Sequence, residues 1–198
     1  MKIVSFTALF SLLLLSCKND KAGNAAKIEI TPGISNLYEI DPRASLCEWK
    51  LDSQRIKTVF TVPLSSGRFS VLDGIPTAAD FVLDFHALSV NNNNLEQASK
   101  RSQILKDSFF LNCAMYPVGR CIMTKLEQAP DSGYKIGFDL KIKDLVRPVQ
   151  LVADLQITEN EVRLTGKPIA LKLMEWGINN PSIATMQPLI VFKRIYPQ

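Results

Sequence analysis

From Leu37 onward, apolar and polar residues alternate with period two, the pattern of strands that bury one face and wet the other. Leu37-Tyr38-Glu39-Ile40 and Leu46-Cys47-Glu48-Trp49 are short runs parted by Asp41-Pro42. Ile56, Thr58, Phe60, Val62 and Leu64 share a face in the next run. Ser65-Ser66-Gly67 reads as a turn into Phe69-Ser70-Val71, and Asp73-Gly74 as another. Phe81, Leu83 and Phe85 then lie opposite Asp80, Val82, Asp84 and His86. The period changes once, over Leu95–Leu105, where Asn94 can cap a helix and Glu96 precedes Lys100 by one turn. That helix has a thin apolar face (Leu95, Ala98, Leu105), so it caps a structure instead of forming a core.

The stretch ILKDSFFLNCAMYPVGRCIM, residues 104–123, joins the helix to the second half of the chain. Pro117 stops helix and pushes Tyr116 to extended geometry. Phe109 and Phe110 are expected to be buried together, either as a plug for something hollow or as a staple between helix and sheet. Alternation then returns: Ile136, Phe138, Leu140 and Ile142 on one face, and Val149, Leu151, Ala153, Leu155 and Ile157 after a connection at Asp144–Pro148. Val162–Leu173 and Leu189–Ile195 supply the last strands. Eight to ten strands with no βαβ rhythm predict an all-β antiparallel fold, stacked as a sandwich or closed as a barrel.

The first residues follow another rule. Lys2 precedes the apolar run Ile3–Leu15, too short to span a membrane, and Leu14-Leu15-Ser16-Cys17 matches a bacterial lipobox. Residues 1–16 are expected to be a lipoprotein signal peptide, Cys17 the acylated residue, 17–36 a polar tether and 37–198 the folded domain. Lys18 in place of Asp favours the outer membrane of a Gram-negative cell, with the periplasmic or surface face open. Export permits disulfides; Cys113 and Cys121, on either side of Tyr116-Pro117, are the easiest pair, and three buried thiols including Cys47 are the alternative. The net charge of +4 is mild and its cations are scattered, which argues against nucleic acid. No metal-ligand spacing and no cofactor motif is present.

In order and spacing, these runs resemble the YceI-like family. The likeness rests on Tyr38-Glu39-Ile40-Asp41 with Ser45 and Trp49, Ser66-Gly67, Phe81-Val82-Leu83-Asp84 with Leu88-Ser89-Val90, and Phe110-Leu111 with Tyr116-Pro117. It continues through Phe138-Asp139-Leu140-Lys141-Ile142-Lys143 with Arg147-Pro148 and ends at Trp176-Gly177-Ile178. The resemblance implies a lipocalin-like antiparallel β-barrel of about eight strands with one capping helix. It would enclose an apolar channel for a long lipid, typically a polyisoprenoid. Candidates for the channel wall are Phe60, Val62, Phe81, Leu83, Phe85, Phe110, Leu111, Tyr116, Phe138, Leu140, Ile142, Leu151, Leu155 and Trp176. Thr58 and Phe60 stand where many members have His and Gly, Cys121 where an aromatic is usual, and Asp144 in place of a Gly, so head-group contacts are where this chain departs.

Three functions compete on these grounds. The first is a membrane-anchored protein holding an isoprenoid or similar chain. The second is a lipid-anchored interaction or structural protein whose barrel is filled, a reading favoured by large inward residues such as Phe60. The third, an enzyme acting on a prenyl or quinone group, is weakest: His86 is the sole histidine, and no nucleophile motif accompanies it.

Overall fold

The computed structural model describes residues 35–52, 57–129, 133–178 and 183–195. By contacts the chain divides into Met1–Pro32 and Gly33–Gln198, and every described residue belongs to the second unit. The predicted signal peptide, Cys17, nearly all of the tether, and Ile56 lie outside the described residues.

Among the described residues there are eleven strands, against the eight to ten expected, and one α-helix: β1 (Ser35–Ile40), β2 (Leu46–Asp52), β3 (Lys57–Leu72), β4 (Ile75–Asp84), β5 (Ser89–Val90), α1 (Leu95–Lys106), β6 (Val118–Gln128), β7 (Tyr134–Ile142), β8 (Leu145–Ile157), β9 (Glu161–Gly166), β10 (Ile169–Lys172) and β11 (Ile183–Arg194). All pairings are antiparallel, and the sheet closes through β9 and β11 into an eight-stranded ring: β2, β3, β4, β6, β7, β8, β9, β11. β1 is no ninth stave. It lies between β11 and β3 beyond the end of β2, so the two short strands share one place in the wall. The break between them is pinned: Asp41 N donates to Val191 O (2.7 Å), and the buried Ser45 hydroxyl accepts from Val191 N (2.9 Å) and donates to Val191 O (3.1 Å).

Two connections differ from the sequence expectation. Ser65-Ser66-Gly67 is not a turn; β3 runs through it for 16 residues, with a bulge between Leu64 and Ser66. An extra residue shifts the inward phase, because side chains alternate with period two. Hence Thr58, Phe60, Val62 and Leu64 face inward before the bulge, and Gly67, Phe69 and Val71 after it. A Cβ on Gly67 would fall 2.5 Å from Asp80 O, so the close approach of β3 to β4 requires glycine there. The second difference is the connection placed at Asp144–Pro148, which is instead a two-residue turn at Lys143-Asp144, with Lys143 at φ +53° and β8 starting at Leu145. Asp73-Gly74 turns as expected, both residues at positive φ.

α1 begins where predicted, with the Asn94 side chain accepting from Gln97 N (3.0 Å) and Lys100 bonded to Glu96 (2.6 Å). Only Leu105 of the helix is buried; Leu95 projects into solvent, and α1 lies over β5 as a cap. Among the described residues no helix is long and apolar enough to cross a membrane. The buried residues form one cluster inside the ring, all of it within Gly33–Gln198, so this unit carries its own core.

Candidate functional site

The inner faces of the staves meet as aromatic contacts. Trp49 stacks on Phe60 (centroids 5.9 Å, planes 27° apart) and presents an edge to Phe85 (6.2 Å, 82°). Phe81 meets Phe138 edge-on at 5.4 Å, and towards the other end Phe69 packs on Phe192 at the same separation. The Phe85 ring lies over Gly119, where a Cβ would come within 2.7 Å of it. The Trp176 indole, carried by a one-turn 3-10 helix (Leu173–Trp176), donates to Leu140 O at 3.0 Å from inside the wall. It backs a shallow cleft of about 210 Å³ between the start of β8 and β10, which pairs with β11 alone.

Of the predicted wall residues, Phe60, Val62, Phe81, Leu83, Phe85, Phe138, Leu140, Ile142, Leu151 and Trp176 all belong to this interior, each 2% accessible or less. In this state the interior is packed, since a channel of ligand width would leave accessible surface on the side chains around it. Phe110 and Leu111 are buried beneath the cap, and Leu155 is half-buried. Tyr116 is a correction. It sits at the surface, its hydroxyl donating to Asp144 Oδ2 (2.5 Å), a bond that pushes its pKa up. Phe109 is another: it was expected to be buried beside Phe110 but is 87% exposed. Trp49, Phe69 and Phe192 were not counted among the wall residues and belong there. Trp49 alternates in step with Cys47 and Leu51, which was the available signal; the inward phase of Phe69 depends on the bulge.

Two buried polar groups make no well-formed hydrogen bond: Trp49 Nε1, which has only the weakly accepting Cys47 thiol beside it, and Thr58 Oγ1, which has no partner. Trp49 pairs with Phe60 and Leu51 with Thr58, so both groups face the interior on adjoining strands at the end under α1. Thr58 and Leu51 also line a cleft of about 440 Å³ between the β2–β3 end and α1, rimmed by Lys50, Lys57 and Arg101. Arg101 donates to Lys57 O (3.0 Å), tying the helix to that rim.

The three cysteines of the folded unit are free thiols, which corrects the Cys113–Cys121 pairing. Cys121 lies inside β6 against Phe81 and Leu140, whereas Cys113 lies under the cap, its Sγ 3.4 Å from Phe85 O. Burial pushes all three thiols up, Cys113 to about 11, so none is a ready thiolate. His86 is exposed, and among the described residues no group of three His, Cys, Asp or Glu side chains could hold a metal.

A closed antiparallel ring with an apolar inside and a helical cap defines a lipocalin-like barrel. The YceI-like domain model matches residues 38–192, and the chain belongs to that family, whose members bind apolar ligands in such a barrel. BcnA of Burkholderia cenocepacia shares the fold (TM-score 0.65, 10% identity), covering 77% of this chain and 98% of BcnA. A YceI protein of Campylobacter jejuni aligns over 95% of this chain and 100% of its own at 12% identity, with a TM-score of 0.49. No curated protein matches the sequence.

Proposed function

We propose that the chain is an exported, membrane-anchored binding protein that holds one long apolar chain, isoprenoid or similar, inside the barrel. The polar end of that ligand lies beside Trp49 and Thr58. The observation that carries this reading is a pair of hydrogen-bonding groups without a well-formed bond, Thr58 Oγ1 with no partner and Trp49 Nε1 with only a thiol beside it, in an otherwise apolar, closed interior. Leaving a buried donor or acceptor unpaired costs roughly 1–3 kcal/mol. A ligand hydroxyl or carbonyl entering by the Lys50–Arg101 cleft would restore those bonds. Moving a methylene out of water is worth about 0.8 kcal/mol, but a ligand taken from a bilayer has already made that gain. Selectivity therefore rests on shape and on these two polar contacts.

Because the interior side chains touch one another, the ligand enters by displacing rings such as Phe60 and Trp49 and replacing their contacts. The lipobox at Cys17 supports acylation and anchoring, and Lys18 supports the outer membrane of a Gram-negative cell. Binding in place of catalysis is supported by an exposed His86 and by thiols held protonated. The filled barrel without a ligand is the second reading, favoured by the 2% or lower exposure of the inward side chains.

Mass spectrometry of organic extracts separates the two, combined with Leu140→Trp. For a carrier, the wild-type domain yields an apolar lipid, and Leu140→Trp, whose ring takes the space the ligand would open, removes it. For a filled barrel, no lipid is recovered and the same change overfills the core, costing about 1–3 kcal/mol. Lys141→Ala, on the outer face, should do neither.

A further inference from the structure

Register places the β2–β3 end, α1, the loop after it, the Lys143-Asp144 turn and the 3-10 helix all at one end of the barrel. Nine of the fifteen large apolar side chains exposed among the described residues gather there. Their tips come from separate loops: Phe109 (87% exposed) and Met115 (66%) after α1, Val146 after the turn, and Met174 (63%) on the 3-10 helix. We propose that this capped end is a membrane-docking face that seats on an anionic bilayer, with Phe109 as its deepest-reaching side chain.

Phe109 is held outward by built structure. The Asp107 side chain accepts from Phe109 N (3.1 Å) and from the Ser108 hydroxyl (3.0 Å), and Asp107 O accepts from Phe110 N (3.0 Å) and Asn112 N (2.8 Å). Phe110 and Leu111, the next two residues, are anchored in the core, so the turn cannot fold Phe109 back without extracting them. Charge selects the partner. Segments 95–117, 141–147 and 172–176 carry seven Lys and Arg against four Asp and Glu, most of the excess in a chain of net +4. Of the four acids, Glu96 is bonded to Lys100, Asp144 to Tyr116, and Asp107 to the turn itself. Apolar tips on separate loops, interspersed with cations, suit lipids that rearrange around each tip and whose headgroups are anionic. A protein partner would need one contiguous, closely packed core patch instead.

The test is sedimentation of the unacylated Gly33–Gln198 unit with vesicles of phosphatidylcholine and phosphatidylglycerol. The wild type should bind, and more weakly in high salt or on phosphatidylcholine alone. Phe109→Ser should lower the partition coefficient about tenfold or more, the loss expected for one buried aromatic. Ile75→Ser, at the opposite end and 65% exposed, should leave binding unchanged. Equal melting temperatures establish that the variants are folded. The proposal falls if the wild type stays in solution, if Phe109→Ser binds as the wild type does, or if Ile75→Ser binds as poorly as Phe109→Ser. It also falls if Phe109 instead supports a concentration-dependent dimer in the absence of vesicles. Vesicle binding by a protein that yields no extractable lipid would sink the carrier reading and leave the docking face standing.

Discussion

The two ends of the barrel close the same interior by different means. At the far end the strands do it themselves: β1 slots in beyond β2, Tyr38 reaches across to donate to Thr158 O (3.0 Å), and Phe69 packs on Phe192. Charges there pair with each other, Lys193 and Arg163 on Glu161 and Arg194 on Glu159. At the capped end a helix and three loops lie over the opening, Trp49 and Thr58 are buried without a well-formed hydrogen bond, and apolar tips meet solvent. Buried polar groups are ordinarily satisfied, and large apolar side chains are ordinarily scattered over a surface. The far end obeys the first rule and exposes fewer large apolar side chains, Ile75 the most open of them. The capped end breaks the first rule and gathers nine of the fifteen, which is why the proposed binding chemistry is assigned to the capped end.

The largest test of that contrast removes one ring from each end. Phe110→Ala and Phe69→Ala should each cost roughly 3–5 kcal/mol in denaturant unfolding, as buried aromatics do. Only Phe110→Ala should also speed exchange of a bound apolar probe, because it loosens the cap. Equal exchange in the two variants would remove the distinction between the ends.

A subtler change goes the other way. Thr58→Val keeps the shape and deletes the unpartnered hydroxyl, so the ligand-free domain should gain about 1–2 kcal/mol. The same variant should retain less lipid. A loss of stability would mean that Thr58 is satisfied in solution.

The smallest effect belongs to the far end. Glu161 is held below the usual carboxylate range, first by its bond with Lys193 and then by Arg163. A lowered folded-state pKa contributes stability that is complete above the unfolded value, near 4.3, and is lost as pH falls through the folded one. Glu161→Gln should therefore cost less than about 1 kcal/mol at neutral pH, less again in high salt, and nothing in acid. A cost that persists at low pH would assign Glu161 a role other than charge pairing.

Much of this architecture is legible in the chain because period-two alternation is a local property. The inward sets Phe81, Leu83, Phe85 and Ile136, Phe138, Leu140, Ile142 can be read without any knowledge of the partner strands. The Asn94 cap and the Asp73-Gly74 turn are equally local. Phe109 and Phe110 show where such reading stops. Adjacent and chemically identical, they part at the Asp107 turn, one into the core and one into water, and nothing in their types distinguishes them. Tyr116 likewise follows Asp144, which is 28 residues away.

By itself the sequence determined most of the strands, the helix that follows Asn94, the apolar faces and the family, since each depends on short-range periodicity or on the order of spaced motifs. Closure of the ring through β9 and β11, the sharing of one place by β1 and β2, the phase shift at the Ser65 bulge and the free state of Cys47, Cys113 and Cys121 were decided only by tertiary structure. Each depends on which distant backbone a residue meets, and hydrogen-bond pairing and packing volume choose that partner after the local pattern is already satisfied. The same holds for Trp49 and Thr58: an indole and a hydroxyl are ordinary in a sequence, and become a candidate site only where the fold buries them without a well-formed hydrogen bond.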